Sequence, residues 1–163
     1  MNLTVTVFRG IPWGNGVNQA ASESTAEVLL LCADDMVPHP GYLKAGLATV
    51  AEGRVPMSHC VEVDGKTWLH APYDAQPAGA PVDWTRMFLL RREWFQTVGP
   101  FMEDMQWYID RDYSERLNEA GYQVTACPGF RFTHLDPPRN WYSRERDAAE
   151  REMYLEARRQ RGQ

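Results

Sequence analysis

Two pairs of acids stand out by type and spacing. Asp34 and Asp35 close the apolar run "EVLLLCA", and Asp110 and Asp112 stand two apart where a helical stripe begins. Adjacent carboxylates at a strand end can hold a hard divalent cation through oxygen. Aspartate also favours solvated turns, and on spacing alone a plain strand-end turn is the simpler reading of the first pair. In the second pair, an aspartate at a helix start accepts backbone N–H bonds and suits the helix dipole. A carboxylate in that place can also take a proton as a general base, and capping does not exclude it. Asp35 with Asp110 further fits the acid/base couple of a glycoside hydrolase, which requires the two carboxyls to lie about 5–9.5 Å apart. Among the basic residues, Arg91 and Arg92 precede a short helix, where guanidinium groups serve phosphate or form structural ion pairs. Gly14, Asn15 and Gly16 read as a glycine-rich turn before a helix, which would let backbone approach phosphate.

These residues need elements to hold them. Leu3 to Phe8 is β-branched and alternating, which predicts a strand. Val17 to Ser24 predicts a short helix. The continuous run Glu27 to Cys32 predicts a central parallel strand covered on both faces. Pro40 suits a first helical turn, and Tyr42, Leu43, Leu47 and Val50 then make a stripe that Gly53 ends. Asp64-Gly65 between alternating residues signals a hairpin within Val55 to Trp68. His70 to Trp84 reads as a long surface loop. Arg86 to Leu90 predicts a short strand and Arg91 to Val98 a short helix. Ile109, Tyr113, Leu117 and Ala120 fall at helical spacing before Gly121. Tyr122 to Ala126 and Phe130 to His134 predict two short strands. Residues 136–163 hold seven arginines and six acids, a balance that suits a solvated or partner-packing helix better than a nucleic-acid arm. The order of elements predicts α/β architecture with a parallel part and an antiparallel edge. In open sheets of this kind, sites form beyond the carboxyl ends of the strands, where Asp34 and Asp35 fall.

Composition narrows the function classes. The chain has 163 residues, 44% apolar and 24% charged, with a formal charge of -5. That is ordinary globular composition, and it argues against a nucleic-acid binder acting through bulk positive charge. Cys32, Cys60 and Cys127 are odd in number and show no metal-knuckle spacing, which fits reduced thiols in a cytoplasmic protein. No apolar run approaches the roughly 18 residues of a membrane helix. The opening "MNLTVTVFRG" has no basic leader ahead of an apolar block, so no secretion signal is expected.

Three blocks together resemble the later part of family 2 glycosyltransferases of the GT-A fold. "NQAASESTAEVLLLCADDMVPHPGYL" is similar to that family's helix, strand and acidic DxD turn. "DWTRMFLLRREWFQTVGPF" is similar to its acceptor-side segment, and "WYIDRDYSERLNEAGYQVTACPGFRFTHL" to its EDxD helix, following strand and terminal histidine. The resemblance implies a GT-A-like mixed sheet flanked by helices over residues 1–136 and a charged helical tail over 137–163. It implies an inverting, metal-dependent transfer of sugar from a nucleoside diphosphate to a hydroxyl acceptor. Asp35 would be the direct ligand of Mn²⁺ or Mg²⁺, with Asp34 nearer the sugar or ribose. A histidine at position 134 completes the metal site in some members, and imidazole with carboxylate suits Mn²⁺ somewhat better. Asp110 would be the base, and Asp112 would orient the acceptor or hold a neighbouring arginine. Asn18 would contact the nucleotide, Arg91 the phosphate or Asp112, and Trp107 the sugar ring.

The chain also departs from the family pattern. Ala33 replaces the first acid of DxD and Ile109 the glutamate of EDxD. Leu3 to Phe8 already looks like the family's third strand, so two strand-helix units that hold the nucleotide base are not seen ahead of it. The alternative is therefore an inactive remnant or interaction module, or a protein whose missing strands come from a homodimer or partner chain.

Overall fold

The structure, a computed structural model, describes residues 12–33, 35–62, 76–106, 108–135 and 144–163. The expected strand at Leu3 to Phe8, the Asp64-Gly65 hairpin turn, Asp34 and Trp107 lie outside the described residues.

The elements run α1 (Trp13–Glu23), β1 (Val28–Leu31), β2 (Met36–Pro38), α2 (Tyr42–Ala51), β3 (Val55–Glu62), β4 (Phe88–Arg91), α3 (Arg92–Val98), α4 (Ile109–Glu119), β5 (Val124–His134) and α5 (Arg144–Gln160). Among the described residues β5 is the centre of a mixed three-stranded sheet, antiparallel to β2 on one side and parallel to β3 on the other. β1 and β4 form a second, antiparallel pair.

Two expectations change here. β1 is not a central parallel strand among the described residues: it pairs antiparallel with β4, and its burial alternates, with Leu29 and Leu31 inward. β3 forms its described ladder in parallel with β5, about 70 residues further along the chain. The two short strands expected at its C-terminal side are one strand, β5. Its register against β3 jumps from Met57↔Ala126 to His59↔Arg131, so Cys127 to Phe130 bulge out of the ladder. Gly129 sits in that bulge because a side-chain carbon there would come within 2.7 Å of Ala45 on α2. A bulge with a glycine lets two backbones approach closely while the strand continues.

The helices follow their stripes. Ile109, Tyr113 and Leu117 of α4 are buried, as their spacing predicts. Gly46 in α2 faces Leu89 and Phe130, where an added carbon would meet the Leu89 side chain at 2.5 Å. The core is aromatic: Phe101 and Tyr113 stack with ring centres 3.7 Å apart, and Phe88 meets both edge-on.

The charged C-terminal helix α5 lies on α4. Tyr154 is buried, stacks on Tyr108 and donates its hydroxyl to Glu115. Glu150, also buried, accepts the Gln106 backbone N–H at 2.8 Å. No disulfide joins the three cysteines. Among the described residues no helix is long and apolar enough to cross a membrane.

Candidate functional site

β1 ends at Leu31, and the chain turns through Asp35 directly into β2. β2 then pairs with the last residues of β5, Met36 opposite His134. The backbone N–H of Leu135 donates to the Asp35 carbonyl at 2.9 Å, which extends that pairing by one residue. Two side chains 99 residues apart in sequence are thereby locked together: His134 Nε2 lies 3.0 Å from Asp35 Oδ2. Both are partly open to solvent, at 19% and 31% side-chain exposure. The second oxygen, Asp35 Oδ1, is buried and accepts no hydrogen bond from any described residue.

That oxygen tests whether a divalent ion fits. A buried carboxylate oxygen without a donor is costly unless something else takes its charge. Oxygen and imidazole nitrogen form the donor set of a manganese or magnesium site that fills its remaining positions with phosphate and water. Two adjacent ligands of an octahedral ion, each at about 2.1 Å, stand about 3.0 Å apart. The Asp35–His134 separation of 3.0 Å is that of an ordinary hydrogen bond, so the fit to an ion rests on the donor types and on the Asp35 oxygen left without a donor. Among the described residues no group of three or more acids, histidines or cysteines gathers at one point.

Asp110 lies in the first turn of α4, with Oδ1 accepting the N–H of Arg111 at 2.8 Å. Burial pushes its carboxyl up to about 6, against the positive charge of Arg86, the N–H bonds and Arg111. A carboxylate with that proton affinity is suited to taking and releasing a proton near neutral pH.

Arg86 was not singled out in the sequence, whereas Arg91 was. The register explains which belongs to this rim. Phe88 pairs with Leu31 at the carboxyl end of β1, and Arg86 precedes Phe88 by two residues. Arg91 pairs with Val28, at the opposite end. There it is 44% exposed, lies 5.9 Å over the Trp94 ring, and lines an open hollow of about 460 Å³ with Glu27, Leu47 and Gln96. Because β4 runs antiparallel to β1, Arg91 stands at the end of that pair away from Leu31 and the turn that carries Asp35. The signal for Arg86 was its position at the start of the predicted strand rather than its end.

Three other expectations resolve into structure. Asp112 is fully buried, and both its oxygens are taken: Oδ2 by Arg116 Nε at 2.9 Å and Oδ1 by Arg161 Nη1 at 2.7 Å. It holds two arginines in a fully buried place. Asn18 uses both ends of its amide on the Phe101 backbone, accepting at 2.8 Å and donating at 2.9 Å, which pins α1 to the loop before α4. Gly14, Asn15 and Gly16 are not a phosphate-binding turn but the first residues of α1. Gly14 is buried there, where an added carbon would meet Ile109 at 2.8 Å.

No family model and no curated protein matches this chain. Solved structures do. The mannosyltransferase PcManGT from Pyrobaculum calidifontis, in complex with GDP-Man and Mn²⁺, superposes with a TM-score of 0.65 at 20% identity over 94% of this chain and 45% of that one. GalNAc-T7 with UDP, GalNAc and Mn²⁺ gives 0.61 at 14% identity over 80% and 31%. S. aureus TarS gives 0.58 at 14% identity over 77% and 24%. The fold is therefore GT-A-like, helices flanking a mixed sheet. The chain spans less than half the length of each of these structures.

Proposed function

We propose that the protein is a metal-dependent glycosyltransferase of family 2 type, which moves a sugar from a nucleoside diphosphate to a hydroxyl acceptor with inversion. The observation that carries this reading is the Asp35–His134 pair at the end of β1, with one buried carboxylate oxygen left without a donor. Asp35 and His134 would hold Mn²⁺ or Mg²⁺. When bound, such an ion supplies positive charge to a leaving diphosphate. Asp35 and His134 are set by the β2–β5 ladder, so the ligands are in place before any substrate arrives. Asp110 takes the proton from the acceptor hydroxyl as it attacks the anomeric carbon, and its raised proton affinity makes it a stronger base than an exposed aspartate. Asp34 and Trp107 are assigned to the sugar side on family resemblance. Two of the structural neighbours were crystallised with Mn²⁺ and a nucleotide or nucleotide sugar, which supports the reading at the level of the fold.

The test is binding. UDP- and GDP-sugars are titrated with Mn²⁺ while tryptophan fluorescence is followed. Saturable binding that needs Mn²⁺ and disappears in Asp35→Ala upholds the enzyme. No binding of any of them rejects it in favour of a non-catalytic module, a reading that the partial span of the neighbours also fits.

A further inference from the structure

The helix that carries Asp110 starts without a side-chain cap. Tyr108 stands at the N-cap position of α4 and makes no side-chain bond to the turn it opens. The first N–H groups of a helix have no partner within it, so an uncapped start frays. In this fold α5 grips that start from outside. Glu150, at 3% exposure, accepts the Gln106 N–H at 2.8 Å, two residues ahead of Tyr108. Its other oxygen accepts Arg146 Nε at 2.9 Å. The Tyr108 hydroxyl donates to Asp147 Oδ1 at 3.3 Å, and its ring stacks on Tyr154 with centres 5.4 Å apart.

Just past the other end of α5, the chain meets the same turn again. Arg161 Nη1 lies 2.7 Å from Asp112 Oδ1, and its other nitrogens lie 3.3 Å from Glu119 and 3.5 Å from Glu115. Asp112 donates its own backbone N–H to the Tyr108 carbonyl at 2.8 Å. The grips at 106, 108 and 112 therefore bracket Asp110. Of the residues of α5 itself, Glu150 and Tyr154 are the buried ones. An element held by so little buried surface opens at lower cost than a core strand.

We propose that α5 is a strap that fixes the first turn of α4 in place of a cap, fastened by Glu150 at one end and by Arg161 at the other, and that these two are positioning residues for Asp110. The strap opens without unfolding the sheet. That Asp110 needs positioning rests on its reading as the base, but the strap itself is measurable without a substrate.

The experiment is amide hydrogen exchange of the full chain, read residue by residue by NMR, without metal or nucleotide. In Glu150→Ala and in Arg161→Ala the amides of Asp112, Tyr113 and Ser114 are expected to exchange about ten-fold faster, while those of β3 and β5 around Cys60 and Phe132 keep their rates. Glu150→Gln keeps an acceptor oxygen and Arg161→Lys keeps the charge, and both are expected to restore most of the protection. Unchanged exchange at 112–114 in either alanine variant overturns the proposal. Equal acceleration in the sheet, or a variant that does not fold, overturns it too, because α5 would then be part of the core. A second readout ties the strap to catalysis. With UDP- or GDP-sugar and Mn²⁺, Arg161→Ala is expected to lower kcat about ten-fold with the donor KM unchanged, since the β2–β5 ladder sets Asp35 and His134. An unchanged kcat overturns the link to Asp110. If the wild type turns over neither donor, the glycosyltransferase reading fails while the exchange rates still decide the strap.

Discussion

Asp35 and Asp112 are the same residue type, and each meets a nitrogen from a distant part of the chain, yet they end in opposite conditions. Asp112 is fully buried, with each oxygen on a different arginine. Asp35 keeps a partly open side chain, shares one oxygen with His134 and leaves the other without a donor among the described residues. A carboxylate fully buried between two arginines is a structural element of the core. An unsaturated one, such as Asp35, keeps a buried oxygen without a donor among the described residues. Asp110 lies between these cases, raised by burial and steadied by Arg86.

The sharpest way to break this contrast is to remove the saturated acid. Asp112→Ala leaves Arg116 and Arg161 without their carboxylate and is expected to cost about 3–5 kcal/mol in urea denaturation. A loss below about 1 kcal/mol would mean that the cluster is not what holds α5 on α4. Asp35→Ala is expected to behave in reverse. Mn²⁺-dependent binding of nucleotide sugar should weaken about 100-fold, which is about 2.7 kcal/mol, by calorimetry. Its folding stability should change by no more than about 1 kcal/mol. A large stability loss in this variant would move Asp35 to the structural side.

Asp110 gives a smaller, pH-dependent effect. Its folded proton affinity is raised above the ordinary carboxylate value, so its contribution to stability is fully present below about pH 4 and is lost as pH rises through about 6. Asp110→Asn should therefore match wild type near pH 4 and be more stable by about 1 kcal/mol at pH 8, a figure discounted for solvent contact. Thermal melts at the two pH values give the sign directly. The smallest effect belongs to Arg91, at the far end of β1. Arg91→Ala should shift stability by less than about 0.5 kcal/mol and leave nucleotide-sugar affinity unchanged in the same titration.

The parts of the fold that were legible are those with local causes. α2, α3 and α4 follow apolar stripes and stop near glycines with positive φ, at 53, 99 and 121. The strand character of β1 was legible too, but not its partner. A run of Val and Leu reads the same whether its neighbour is parallel or antiparallel, and that choice is made by how a segment 60 residues away returns. Arg86 and Arg91 flank one short strand, and only the direction of that strand decides which of them stands at the end where β1 leads into the Asp35 turn. β5 read as two strands because Pro128 and Gly129 look like a break. In the fold they form a bulge that α2 presses against through Ala45.

Side-chain chemistry and short-range periodicity are properties of the chain alone. They were enough to set most helices and to single out Asp35, His134 and Asp110 as candidates by type and position. What the chain alone does not contain is which of its acids are already neutralised. Asp112 and Asp110 stand two residues apart on one helix, yet Arg161 reaches the first from 49 residues away while Arg86 is the main positive charge acting on the second. Saturation depends on which distant cations arrive and how much water stays, and both are set by packing between elements.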